Sequence, residues 1–253
     1  MSRSAPAAVG AAVRETPIGA ELPIWTHPGW RSEMPWLVQG LTVRGAELGL
    51  FGAAPSGRVQ EEWRRLRRDT GCAGAVHARQ VHGARVAWHA TATAGLTLID
   101  DADGHATRAP GLLITVAVAD CVPVHLVDEG RRAVALLHAG WRGTAAGVLE
   151  AGIDRLASKA GSVAAELRVH LGPAICGRCY EVGPEVFEAL GRSRPAAPTL
   201  LDLRGVLADR ALAAGVLADR ITSSAHCTRC SARLYSHRGG DSGRQIAFLA
   251  VRA

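Results

Sequence analysis

The sequence predicts an α/β fold, a single layered domain in which a mixed sheet is flanked by helices. Three observations carry that expectation. Leu112–Ala119, Val122–Val127 and Ala133–Leu137 are short apolar runs rich in β-branched residues, as in strands buried on both faces. Val59, Trp63 and Leu66 recur at helical spacing in RVQEEWRRLRRDTG, with Gly71 as a stop. Strand-like and helix-like segments alternate along the chain, with no internal repeat or low-complexity linker between them.

Taken in order, residues 1–22 combine arginine and alanine without the leucine-rich core of a secretory signal and read as a flexible N-terminal tail, leaving 23–253 as the domain. Trp36–Val43 reads as a strand, and a glycine-containing loop over Gly45–Gly57 follows it. After the Val59 helix, Ala75–Val86 contains the QVHG turn, in which Gly83 lets the backbone bend beside His82. The three apolar strands come next. Gly140 and Gly143 bracket Trp141 and Arg142 where the third strand ends, and Thr144 suits the cap of a helix over about Ala145–Ala160. Leu167–Leu171 is a further strand, Pro184–Leu190 and Leu203–Ala214 are helices, and Ile246–Val251 is the last strand.

Charge and composition narrow the classes of function. Of the 29 basic residues only Lys159 is lysine, against 23 acidic residues, for a formal charge of +6. The densest basic stretch, Arg64, Arg65, Arg67 and Arg68, falls on one helix without aromatic interleaving, so a solvated face is expected rather than a nucleic-acid site. No apolar run reaches the length of a membrane span, so no membrane partner is expected. Six cysteines would permit disulfides, yet Cys121 beside Asp120 in an apolar strand points to a reduced ligand or nucleophile and a cytoplasmic setting. Oligomeric state has no signal in the sequence.

The chemistry-bearing residues lie in three islands: ARQVHGARV with His82, AVADCVPVHLVD with Cys121, and LLHAGWRGTAAGVLE with His138. Two imidazoles and a thiolate suit zinc, and three protein ligands leave a fourth position for water or substrate, as at a catalytic metal. Cys121 lies 39 residues after His82 and 17 before His138, so only a folded domain can bring them together.

QVHGARV, ADGHATRAPGLLITVAVADCVPVHLVD, HAGWRGTAAGVLE, LGPAICGRCYEVGPEV, LDL…LAAGV and CT…LYSHR…SGR occur in that order. Over about Leu37–Val251 they resemble the laccase-domain family of purine nucleoside phosphorylases, the YfiH type, once described as multicopper polyphenol oxidoreductases. The resemblance implies a zinc enzyme that cleaves adenosine or inosine with phosphate to the free base and ribose 1-phosphate, with adenosine deaminase activity also attributed to the family. It places the metal ligands on His82, Cys121 and His138, and carries the arginine of the late SHR stretch to Arg238 and an early arginine to Arg44. Two family asparagines are missing, Leu207 standing in one place, and the arginine expected after Arg238 is Gly239. Those departures bear on substrate choice more than on the metal.

Phosphorolysis needs an anion site, and Arg238, Arg44 and Arg142 are its candidates because guanidinium binds phosphate in a two-pronged contact. Cys121, His138 and Arg238 are the expected catalytic set. A different class of reading makes Cys121 a nucleophile and His138 its base, a cysteine hydrolase acting on an amide such as a peptidoglycan precursor. Copper would also accept these ligands, but the chain contains no His-x-His pair of the kind a three-copper oxidase uses.

The remaining candidates are secondary. Asp120 is expected to orient His82 or His138, and Asp103 to cap a turn. His237 is expected near the base, with Tyr180 and Glu181 lining the pocket, while Gly172 and Pro173 shape a loop and His77, His125 and His170 have no role. Cys176-x-x-Cys179 and Cys227-x-x-Cys230 could hold a second, structural zinc, but the 47 residues between the pairs are unlike a zinc ribbon, and none is expected.

Overall fold

The computed structural model describes residues 10–50 and 55–253. The chain begins with β1 (Ala11–Val13), β2 (Thr16–Pro17), β3 (Ile24–Thr26), α1 (Pro28–Glu33) and β4 (Leu37–Thr42). Helix α2 (Ser56–Thr70) leads to β5 (Gly74–Ala78), β6 (Val86–His89), β7 (Gly95–Ile99) and β8 (Gly104–Thr107). The apolar centre follows as β9 (Leu112–Val118), β10 (Val122–Asp128) and β11 (Ala133–Ala139), then α3 (Trp141–Ala145) and α4 (Val148–Ala160). The rest comprises β12 (Arg168–Leu171), β13 (Glu181–Val182), α5 (Pro184–Ala189), β14 (Thr199–Leu200), α6 (Leu203–Ala213), β15 (Ile221–Ser224) and β16 (Gln245–Val251).

The α/β class holds, but the strands form two seven-stranded mixed sheets rather than one, with β13 and β14 as a separate antiparallel pair. The first has the order β1-β15-β12-β10-β11-β8-β6 and the second β2-β3-β4-β16-β9-β5-β7. They pack face to face. Alternation on β11 explains how: Val134 and Leu136 meet the second sheet, while Ala133, Ala135, Leu137 and Ala139 meet the helices. β16 does the same, with Ala247, Leu249 and Val251 between the sheets and Ile246, Phe248 and Ala250 toward α2. Strands covered on both faces have no polar side to show, which is why they read as unbroken apolar runs.

Helices α4 and α6 cover the first sheet, and α2 covers the second through Val59, Trp63 and Leu66. α2 ends where expected, with Gly71 at φ 67° donating to the carbonyls of Arg67 and Arg68. Its basic face is solvated and paired: Arg64 with Glu61, Arg65 with Glu62 and Arg68 with Glu21. The helix expected over about Ala145–Ala160 is α4, which begins at Val148 because Gly147 turns the chain at φ 86° between it and the short α3 that precedes it. Thr144 caps neither helix, and its hydroxyl donates to the carbonyl of Gly140. No helix among the described residues is long and apolar enough to cross a membrane.

The expected tail over 1–22 needs correction. Residues 1–9 lie outside the described residues, but β1 pairs in parallel with β15 and Leu22 is buried. Glu15 explains the order. Its carboxylate accepts from Ser224 of β15 at 2.7 Å and meets His170 of β12 at 2.9 Å, both contacts buried just after β1. Beside them, burial and then the charge of His170 push the His27 imidazole down to about 4. Burial, followed by the same charge, pushes His125 down to about 3.

Both rings are therefore neutral in the fold and take up a proton more readily when unfolded. The resulting loss of stability is absent above the ordinary imidazole value near 6.5 and grows as pH falls from there toward 4, by up to roughly 1.4 kcal/mol per pH unit for each ring. Urea unfolding is expected to show a clearly lower midpoint at pH 5 than at pH 7, and equal midpoints would contradict the neutral assignment.

Candidate metal centre

Period-two alternation along β11 delivers the first ligand. Val134 and Leu136 face the other sheet, so His138 faces the same way at the strand's end, where the inter-sheet core opens. Its ring is 3% exposed, and its Nδ1 lies 2.8 Å from Oδ1 of Asp103. An ionised carboxylate only accepts, so Nδ1 carries the hydrogen and Nε2 is left to face Cys121.

Asp103 is fully buried just before β8, the strand paired with β11. The same carboxylate accepts from the backbone N–H groups of Val81 (3.1 Å), His82 (2.9 Å) and Gly83 (2.7 Å). Those bonds hold the QVHG turn with His82 at φ 60°, left-handed backbone that a histidine rarely adopts. One side chain thus orients both imidazoles. The expectation for Asp120 is corrected: its Oδ1 accepts from Thr228 Oγ1 at 2.5 Å and its Oδ2 from the Arg238 N–H at 2.7 Å, and it contacts neither histidine. Asp120, at φ 89°, is the hinge that presents Cys121 at the head of β10.

The ligand atoms of His82, Cys121 and His138 lie within 4.8 Å of one another, with the two rings 4.8 Å apart and nearly perpendicular. Gly140 makes room for them. A Cβ there would sit 2.9 Å from the Cys121 sulfur and 3.1 Å from Cδ2 of His82. Burial alone would push the Cys121 thiol up, but the His138 charge and hydrogen bonds from both histidines draw it down to about 6. Burial alone would lower His138, but the Cys121 thiolate and the Asp103 bond raise it to about 9. The pocket therefore favours a negative sulfur facing a positive partner, a role a divalent cation fills by replacing the proton on Nε2. The two histidines and the thiolate fit one borderline-soft ion with an open coordination position.

A cavity of about 1040 Å³ opens onto this centre. Its walls include Arg79, Gln80, Tyr235, His237 and Arg244, with Leu48 and Ile246 on the apolar side. None of the three arginines selected from the sequence lines it. Arg44 is committed elsewhere: it pairs with Asp241 through both terminal nitrogens and donates to the carbonyls of Ala232 and Leu234. Arg142 lies over the Trp141 ring. Arg238 lies over Tyr180 and donates to the Glu181 carbonyl, on the other side of the Asp120 hinge. Burial and then the Cys121 charge push the Tyr180 hydroxyl up to about 12, so this wall is close enough to sense the sulfur. Leu207 is on the buried face of α6, in the core against the first sheet. Sequence reasoning missed Asp103 as the orienting group, and also Arg79 and Arg244, which no local pattern distinguishes from surface arginines.

Two face-packed mixed sheets with a His-Cys-His constellation at the floor of a cleft define an α/β protein with a candidate mononuclear metal centre. The profile of the multi-copper polyphenol oxidoreductase laccase family matches residues 42–252, and the chain belongs to that family. It is 36% identical over 172 residues to adenosine deaminase RL5 from an unknown prokaryotic organism, a match spanning 61% of this chain and 65%, just under two thirds, of that protein. It is 33% identical over 197 residues to purine nucleoside phosphorylase YlmD of Geobacillus stearothermophilus, covering 70% of this chain and 72% of the relative. The crystal structure of that organism's YlmD superposes with a TM-score of 0.82 at 28% identity, over 94% of this chain and all of that one.

Because Asp103 sets the His138 tautomer and the His82 turn together, Asp103→Asn is expected to weaken metal binding about 10- to 100-fold. Chelator competition measures it. Asp120→Asn, which touches neither ring and disturbs only the hinge before Cys121, should change affinity less, and a larger loss there than in Asp103→Asn would refute the assignment.

Proposed function

We propose that this chain is a zinc-dependent purine nucleoside phosphorylase that converts adenosine or inosine and phosphate to free base and ribose 1-phosphate, with adenosine deamination as a second activity of the same centre. The convergence of His82, Cys121 and His138 on the floor of a cavity roomy enough for a nucleoside carries this reading. The names of the relatives, phosphorylase and adenosine deaminase, support it. Zinc is preferred to copper on the donor set, since no His-x-His pair is available for a copper cluster.

When bound, the ion supplies Lewis acidity to an oxygen of the ribose or the base. His82, Cys121 and His138 hold it, and Asp103 keeps both rings aimed. Breaking the glycosidic bond builds positive charge on the sugar and negative charge on the departing purine, so an anion site and a hydrogen-bond donor are required. Arg79 and Arg244 line the cavity and are proposed as phosphate ligands, with His237 as donor near the base; Arg244 spends only its Nη1 on the carbonyls of Asp241, Ser242 and Gly243, which leaves Nε and Nη2 for an anion. Arg238 and Arg142 belong to the wall beside Tyr180, where Arg238 would approach a substrate from the Cys121 side. Arg44 is withdrawn as a phosphate ligand, because Asp241 and two carbonyls occupy its guanidinium. Free cysteines fit the reducing cytoplasm as the setting.

The cysteine hydrolase reading is not favoured. Cys121 and His138 alone would make a dyad, but the His82 imidazole also lies with its ligand atom within 4.8 Å of theirs, so the thiolate faces two imidazoles rather than one base.

Elemental analysis beside an assay of inosine and adenosine is the direct test. Phosphate-dependent base release by zinc-containing protein, abolished in His82→Ala and Cys121→Ala, is expected; release that ignores phosphate, or no turnover by zinc-loaded protein, overturns the proposal. Arg244→Ala is expected to raise the phosphate KM about tenfold or more, matching the loss of one charge-assisted contact, while leaving phosphate-independent deamination of adenosine nearly unchanged.

A further inference from the structure

The two CxxC pairs are far apart in sequence but not in the fold. β12 and β15 are parallel neighbours, with Leu171 opposite Ser223, so the loops that follow them leave the same end of the first sheet. The first loop carries Cys176 and Cys179, the second Cys227 and Cys230. A parallel bridge between Ala174 and Cys227 and the Thr228 N–H bond to the Ala174 carbonyl extend the pairing beyond the strands. The 47-residue interval that argued against a zinc site is thus the β13–β15 excursion, which returns to its starting point.

All four sulfurs consequently lie within 4.8 Å of one another, and those of Cys179 and Cys230 are 3.4 Å apart. Four sulfurs around a tetrahedral ion at about 2.3 Å sit about 3.8 Å from each other, so the cluster needs only small adjustments to close on one. Each pair has the compact turn of a metal knuckle: Cys179 N–H donates to the Cys176 carbonyl, and Ser231 N–H to that of Cys227. The Cys176 N–H points at the Cys227 sulfur from 3.3 Å, a donor suited to a thiolate. Each pair also encloses an arginine, Arg178 in CGRC and Arg229 in CTRC. Four thiolates and one divalent cation leave a net charge of −2, which these two guanidinium groups offset.

We propose that Cys176, Cys179, Cys227 and Cys230 bind a structural zinc ion, separate from the His82 centre, that clamps the two loops forming the wall behind Cys121. The first loop continues into Tyr180 and Glu181. The second carries Thr228, which donates to Asp120, and runs on to Arg238, whose N–H donates to the other oxygen of Asp120. A fixed clamp here fixes the hinge that presents Cys121. A closed set of four sulfurs leaves no open position, so the ion has a structural role rather than a catalytic one.

The test is independent of the enzymatic activity. Protein purified under reducing conditions is analysed for metal content as wild type, His82→Ala, Cys179→Ser with Cys230→Ser, and Cys72→Ser as a control for a cysteine outside the cluster. Two zinc ions per chain are expected in wild type and Cys72→Ser, and one in each of the other two. Cobalt substitution should give a tetrathiolate absorption signature that survives His82→Ala and vanishes in the double variant. For the wild type alone, native alkylation should spare these four cysteines until a chelator is added, and chelation should lower Tm. Zinc content that does not fall in the Cys179→Ser with Cys230→Ser variant, iron in the four-cysteine position, a Cys179–Cys230 disulfide in the reduced preparation, or alkylation as fast as in unfolded protein would each overturn the proposal, whereas one zinc per chain that is kept in His82→Ala and lost in the double variant would leave the clamp standing and empty only the His82 centre. If instead two zinc ions are found but no nucleoside is turned over, the clamp stands and only the functional reading fails.

Discussion

One buried carboxylate holds the centre together. Asp103 spends one oxygen on the Nδ1–H of His138 and on the His82 N–H, and the other on the N–H groups of Val81 and Gly83. Its own carbonyl accepts from His138 N–H at 2.7 Å, so the residue grips the ligand strand by backbone as well as side chain. A buried charge is tolerated only when its lone pairs are occupied, and here four donors occupy them. Removing the charge therefore disturbs two ligands that are 56 residues apart in sequence (138 − 82).

The two-sheet architecture explains why the ligands meet at all. His138 ends β11, Cys121 heads β10, and these strands pair antiparallel with Val122 opposite Ala139, so a strand end and a strand start necessarily lie side by side. The pairing of β8 with β11 then brings Asp103 to His138, and the turn before β6, which runs parallel to β8, brings His82 to Asp103. Each step is a ladder contact between adjacent strands. The centre sits where the apolar seam between the sheets stops, so its floor is buried and its mouth opens into the cavity.

This geometry also marks what could be read from the sequence. β9, β10, β11 and α2 were legible because a strand buried on both faces and an amphipathic helix leave strong local patterns. The three ligands were legible as residue types beside glycine or aspartate, and the family resemblance joined them. Partner choice was not legible. Asp120 sits next to Cys121 in sequence and looked like the orienting group, whereas Asp103 reaches His138 only through the β8–β11 ladder. The same limit misplaced residues 10–22, whose alanine-rich composition says nothing of Glu15 reaching His170 and Ser224 at the far end of the chain. Arg44 looked free to bind an anion because Asp241 lies 197 residues away.

Two non-glycine residues beside the centre, His82 and Asp120, hold left-handed backbone at φ 60° and 89°. Such conformations cost on the order of 1–3 kcal/mol each and persist only where surroundings over-determine them. Around His82 the over-determination is three N–H bonds to one carboxylate; around Asp120 it is Thr228, the Arg238 N–H, and the Ile175 N–H bond to its own carbonyl at 3.1 Å. The strain is therefore held by hydrogen bonds within the fold. That separates this centre from a zinc finger, in which binding free energy is folding free energy and the ligands gather around the metal. Here the ligands are gathered by sheet pairing and buried carboxylates. The Thr228, Arg238 and Ile175 contacts to Asp120 come from the very loops that carry the four remaining clustered cysteines, so the rigidity of the Cys121 ligand depends on how firmly that distant pair of loops is held.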